Sequence, residues 1–174
     1  MSVPKKEHIS FRIDSSCLDK LHVEAKQNNV ALNVLVNQII KQYLEWHLPC
    51  IKSGTMPLLK SIVREILNRV DDDGLSSAGV KIATTEFRQM IMMFRNEFTL
   101  PAWIHIFEDW MKMSGFQFTH EIVNNSHHII VRHDMGKKFS FFEKELLKNI
   151  FDQLNVKTNF EITDNVVSIL IYCD

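Results

Sequence analysis

The chain has 174 residues, enough for one medium domain or two small ones. Its hydrophobic share of 45% is that of a globular protein, and a net charge of -1 excludes a surface coated with phosphate-binding lysine and arginine, though not a small local reading head. Three scattered cysteines predict a reducing cytoplasm without a disulfide frame, no apolar run reaches the length of a membrane span, and the start lacks a signal peptide's apolar core.

The first predicted element is a strand. In His8-Ile9-Ser10-Phe11-Arg12-Ile13 polar and apolar residues alternate, the period of a strand with one buried face. The next convincing strand lies far downstream, so the expected partner is the same strand of a second copy, giving a two-fold ribbon. A two-stranded ribbon fits the major groove, where Arg can contact guanine in bidentate fashion. Two helical stripes follow. Asp14, Ser15 and Ser16 offer caps for the first, which carries Leu18, Leu21 and Ala25 and ends at Asn28-Asn29. The second carries Leu32, Leu35, Val36, Ile39, Ile40 and Tyr43 on one broad face. Two short amphipathic helices bury little alone, which predicts an intertwined dimer.

Three segments together resemble the ribbon-helix-helix family of DNA-binding transcription regulators, the group that includes the Arc and MetJ repressors. They are Ile9-Ser10-Phe11-Arg12-Ile13, Leu18-x-x-Leu21-x-x-x-Ala25, and Asn29-Val30-Ala31-Leu32-Asn33-x-Leu35-Val36. They cover roughly the first quarter of the chain. The resemblance implies base contacts from His8, Ser10 and Arg12. It also implies phosphate contacts at the start of the second helix, at Ala31, Leu32 and Asn33, where a helix N-terminus favours an anion. Members of the family place Ser or Thr where Ala31 stands, so the cap falls to Asn33, Asn29 or bare backbone. Lys5 and Lys6 are candidates for phosphate contact as a basic arm. The plainer alternative makes Ser10 and Arg12 ordinary solvent-facing strand positions, and His8, Lys5 and Lys6 solvated residues near a terminus.

Pro49 and Gly54 break the helical period over residues 47–55 and mark a boundary. Thr55 then reads as an N-cap with Pro57 in the first turn of a helix lined by Leu58, Leu59, Ile62, Val63, Ile66, Leu67 and Val70. Asp71-Asp72-Asp73-Gly74 is expected to stop that helix as a solvated turn, since the spacing lacks the alternate ligands of a calcium loop. The loop is expected to run on through Ser76-Ser77-Ala78-Gly79. Thr84-Thr85 precedes a helix with Phe87, Met90, Ile91 and Phe94. Thr99 and Pro101 open another, with Trp103, Ile106, Phe107, Trp110 and Met111 facing inward and Gly115 at its close.

The last part of the chain reads as a duplication. Residues 111–134 align on 151–174 without a gap, with Glu121-Ile122 on Glu161-Ile162, Asn125 on Asn165, Ile129 on Ile169 and Asp134 on Asp174. Each copy reads helix, strand, Asn or Asp turn, strand. Ser140 with Glu143 has the spacing of a capping box for the helix carrying Leu146, Leu147, Ile150, Phe151 and Leu154. If the first hairpin turns at Asn124-Asn125, then His120, His127 and His133 occupy positions where the other copy has Phe160, Val167 and Cys173. Imidazoles on a face that is otherwise apolar point to a polar pocket, a metal site or a proton-sensitive site. The plain alternative is a sheet edge or routine core hydrogen bonds.

The expected fold class is therefore α+β: a dimeric ribbon-helix-helix module over residues 1–48, a linker over 49–56, and an α+β domain over 57–174. In that domain duplicated α-β-β units form a four-stranded antiparallel sheet with helices on one face. The expected function is sequence-specific binding of double-stranded DNA as a homodimer, or as a tetramer built from it, with a transition metal or small-molecule effector for the second domain. An antitoxin-like protein that captures a protein partner is one alternative. A metal or small-molecule binder that uses its first module only to dimerise is another. No Gly-rich phosphate loop and no Ser, His and acid motif stands out, so catalysis is not expected.

Overall fold

A computed structural model of the chain describes residues 7–173 and divides it into two compact units, Met1–His47 and Leu48–Asp174. Lys5 and Lys6 lie outside the described residues.

The first unit is helical. Helix α1, Ser15–Gln27, and helix α2, Leu32–Gln42, are joined by a turn in which Asn29 adopts a left-handed φ of 52°. The short amide side chain of Asn tolerates that conformation better than most residues do. A π-helical turn, Tyr43–His47, follows α2. Neither helix has a side-chain cap bond, although Asp14 and Ala31 hold the cap positions. At α2 the cap is therefore bare backbone, and neither Asn29 nor Asn33 supplies it.

The expected ribbon is not present. Residues 7–14 form no strand, and His8, Ser10 and Arg12 lie on an irregular, solvent-exposed segment that leads directly into α1. The ribbon-helix-helix fold expected for residues 1–48 is corrected accordingly. Period-two alternation selects a face but supplies no ladder partner, and among the described residues no strand pairs with the segment.

The second unit begins with helix α3, Leu48–Lys52. Pro49 follows directly on the π-helical turn Tyr43–His47, so its missing N–H falls where the regular α-helical ladder is already interrupted. The break comes only at Gly54, with φ 79°. Helix α4, Lys60–Asn68, starts later than Thr55 and Pro57 suggested and has Leu59 at its cap position. The acidic run is not a stop followed by a loop. Asp71 caps a new helix, α5, Asp72–Ile82, with its Oδ1 accepting from the N–H of Gly74 at 2.7 Å. Asp72 and Asp73 then lie in the first turn, where carboxylates favour the helix dipole. A π-helical turn, Ala83–Phe87, precedes helix α6, Arg88–Arg95. Thr84 and Thr85 cap nothing; their hydroxyls donate back to carbonyls of Val80 and Lys81. Helix α7, Leu100–Met113, does start at Thr99, whose Oγ1 accepts from the N–H of Ala102.

A hairpin of β1, Gln117–Val123, and β2, Ser126–Arg132, comes next, then α8, Lys137–Gln153, then β3, Thr158–Ile162, and β4, Val166–Tyr172. The four strands form one antiparallel sheet in the order β1-β2-β4-β3. The two hairpins thus meet through β2 and β4, leaving β1 and β3 as edges. Asn124 and Asn125, at φ 49° and 62°, close the first hairpin as the left-handed pair a tight turn of this hand requires.

The core of this unit lies between the sheet and α8, with α5 and α7 completing it. Ile129, Val131, Val167, Ile169 and Ile171 are buried on the inner sheet face. Trp103, Phe107 and Phe151 pack ring against ring, the Trp103 centroid 4.7 Å from Phe107 and 4.5 Å from Phe151. Ser140 and Glu143 do not form a capping box, because α8 begins at Lys137 and both residues are buried inside it. Gly79 sets the spacing of α5 on α8, since a Cβ there would lie 3.1 Å from the backbone nitrogen of Leu146. We expect Gly79→Val to lower stability by about 1–3 kcal/mol through overpacking against this backbone, read as a fall in Tm in a thermal melt. An unchanged Tm would show that the two helices are free to separate.

Candidate functional site

Two groups of polar residues are built into the second unit. The first lies between α7 and the first hairpin. His120 pairs across the ladder with Ile129, and Ile122 pairs with His127, so the two histidines are diagonal neighbours on the inner face. Their rings stack at 5.0 Å between centroids and 24° between planes. The Nε2 of His120 lies 2.8 Å from the Nδ1 of His127. On its other side, the Nδ1 of His120 lies 2.7 Å from the Oε1 of Glu108 on α7. A carboxylate only accepts, so this Nδ1 carries a proton and donates it. With His120 neutral, its Nε2 is then the acceptor for the Nδ1–H of His127. The His120 and Glu108 side chains are 15% and 26% exposed, so the relay sits at the rim of the core, within reach of solvent. Burial holds His127 below the usual histidine range, and the charge of His120 adds to that effect.

Glu108 was not legible as a partner of the histidines, although the sequence carries a signal. It stands on the stripe of Ile104, Phe107 and Met111, all buried, so a carboxylate occupies an inward helical position.

The second group is sealed. His133 does not join the other two histidines. It is 0% exposed, its Nδ1 accepts from the N–H of Met135 at 3.0 Å, and its Nε2 lies 2.8 Å from the Oγ of Ser140. With Nδ1 an acceptor, the ring is neutral and Nε2–H donates to Ser140. Burial pushes His133 down to about 4. Three residues further along α8, Glu143 is 1% exposed and neither carboxyl oxygen has a hydrogen-bond partner among the described residues. Burial alone pushes its carboxyl up to about 8, so Glu143 is a neutral acid at pH 7.

Elsewhere in this unit a groove of about 330 Å³ runs between Lys52–Thr55 and Phe87–Met93, lined by Lys52, Thr55, Glu86, Phe87, Met90 and Met93. It contains no histidine or cysteine. Among the described residues no three His, Cys, Asp or Glu side chains form a group that could hold a metal ion. Cys17, Cys50 and Cys173 are free thiols. No described helix is long and apolar enough to cross a membrane.

Of the residues singled out for DNA, His8, Ser10 and Arg12 are exposed and belong to no regular element. Ala31, Leu32 and Asn33 form the uncapped start of α2.

No family profile matches the chain, and no curated protein matches it. Among solved structures, the chain is similar at a low level to an H-NOX protein from S. oneidensis, solved in its Fe(II)NO ligation state. The identity is 12%, the match spans 97% of this chain and 82% of that one, and the TM-score is 0.27. A likeness of that size supports no inference about fold or function.

The sealed pair makes a prediction about pH. Glu143 has its carboxyl raised from an ordinary 4.5 to about 8 on folding, so its stabilising neutral form is fully favoured below pH 4.5 and stability falls as pH rises to 8. His133 is lowered from 6.5 to about 4, so stability falls as pH drops through that interval. Between pH 4.5 and 6.5 the two slopes oppose each other, which predicts a plateau there with a decline on both sides. Each slope is at most about 1.4 kcal/mol per pH unit. Chemical denaturation from pH 4 to 8 checks this, and Glu143→Gln should flatten the decline above pH 6.5. A decline that persists unchanged in that variant would assign it to another group.

Proposed function

We propose that the protein is a homodimeric, sequence-specific DNA-binding transcription regulator of the cytoplasm, whose second unit binds an effector. The observation that carries this reading is the apolar surface that the first unit leaves in solvent. Among the described residues of that unit, only Ala25 and Leu35 are buried hydrophobic residues. Ile9 is 76% exposed, Phe11 54%, Val23 57% and Leu44 56%, and Ile13, Val34, Ile39, Ile40 and Tyr43 are exposed as well. Together these side chains present on the order of 800 Å², which is what each partner contributes to a standard stable interface. A second copy is the occupant proposed here, because two copies of one apolar face cover each other in a two-fold dimer.

Support for a nucleic-acid partner comes from the same unit. His8, Ser10 and Arg12 are free to reach base edges from an exposed segment that is not a strand in the single chain. The start of α2 has no side-chain cap, so its backbone N–H groups suit a phosphate oxygen. With the unit near electrical neutrality, specific contacts have to dominate over a general basic field.

A second reading, a metal or small-molecule binder that uses the first unit only to dimerise, is favoured by the imidazole relay on the sheet. The two readings differ in whether DNA is selected at all.

In analytical ultracentrifugation at micromolar concentration we expect a dimer for the full chain and a folded monomer for Ile40→Glu, which places a charge in the apolar face. A wild-type monomer would remove the dimer from this reading. Selection of duplexes from a random pool should enrich one sequence with the wild-type protein. Arg12→Ala should lose discrimination at one base pair by about 1–3 kcal/mol, with its circular dichroism unchanged. A pool that stays random with the wild-type dimer would sink the DNA-binding function.

A further inference from the structure

We propose that His120 and His127, with Glu108 behind them, form an open, exchangeable site for a divalent transition-metal ion of the zinc type. The geometry points to it in three ways. First, Glu108 accepts from the Nδ1–H of His120 at 2.7 Å, which fixes the ring's tautomer and aims its Nε2 lone pair away from α7. A carboxylate behind a ligating imidazole is the usual support of a metal-bound histidine, because it orients the ring and raises its basicity. Second, that Nε2 and the Nδ1 of His127 face each other at 2.8 Å. Two nitrogens that each bond a common ion at 2.0–2.1 Å stand about 3 Å apart or slightly more, so uptake needs a shift of a few tenths of an ångström. The proton between the rings moves to the Nε2 of His127, and the ion takes its place.

Third, the fold does not require these residues. Each hairpin pairs its strands the same way, and the aligned positions in the second hairpin are Phe160 and Val167, which serve as ordinary inner-face residues. Two imidazoles therefore stand where the duplicate keeps hydrocarbon. With no third described side chain converging, two protein nitrogens hold the ion and water completes its shell, fewer protein ligands than a structural zinc site uses.

The ion's role as effector rests on the regulator proposed above; its binding does not. Zinc chloride titrated into the metal-stripped full chain by calorimetry should give one ion per chain. His127→Ala and His120→Ala should each abolish that event, and Glu108→Gln should weaken it by about 10–100-fold while both imidazoles remain. As a check that needs no variant, zinc should shift two histidine ring signals in nitrogen-correlated spectra of the wild-type protein and leave the sealed His133 unmoved. No uptake at millimolar zinc, or uptake unchanged in His127→Ala, would overturn the site. Duplex selection by the metal-stripped protein tests the regulator separately. If selection occurs without any zinc uptake, only the metal site fails; if zinc is taken up and no duplex is selected, only the regulator fails.

Discussion

Helix α8 must satisfy the sheet on one side and α5 on the other, and the second unit depends on that double contact. Seven of its residues are buried. Five of them, Phe139, Leu146, Leu147, Ile150 and Phe151, are hydrocarbon; the other two are Ser140 and Glu143. The missing side chain at Gly79 lets α5 come close enough to seal the far side. The carboxyl of Glu143 and the bond between His133 and Ser140 both lie on the buried side of α8.

Much of the second unit was legible because its signals are local. Thr99 is a true cap, Asn124-Asn125 supplies the two left-handed residues its turn needs, and the inward stripe of α7 follows the helical period. The failures have equally local causes. Asp71-Asp72-Asp73-Gly74 satisfies the composition of a turn and also that of a capped helix start; only the packing of Leu75 and Gly79 against α8 decides between them. Ser140 and Glu143 have the spacing of a capping box, but the helix enters a turn earlier, at Gly136 with φ 85°. The strand expected at residues 8–13 failed for a different reason. Its alternation is real, yet a ladder needs a partner, and the sequence cannot say where one is.

The candidate site was half visible. The duplication singled out His120, His127 and His133 by what stands opposite them in the other copy. Two of them meet, because the register of the first hairpin is fixed by a two-residue turn that the sequence specifies. The third does not, because its place beyond the end of β2 brings it under α8, where Ser140 and the N–H of Met135 bind it. Glu108 completes the relay across tertiary contact, which no spacing within the chain reveals.

The order β1-β2-β4-β3 leaves two strand edges open to the surroundings, and the duplication places the same residue on each. Glu121 on β1 and Glu161 on β3 are both solvent-exposed and occupy equivalent positions. A carboxylate on an outer strand repels a like strand that approaches to extend the ladder. The sheet is thereby closed to fibre-like growth by successive copies, and contact between molecules is steered toward helical surfaces instead.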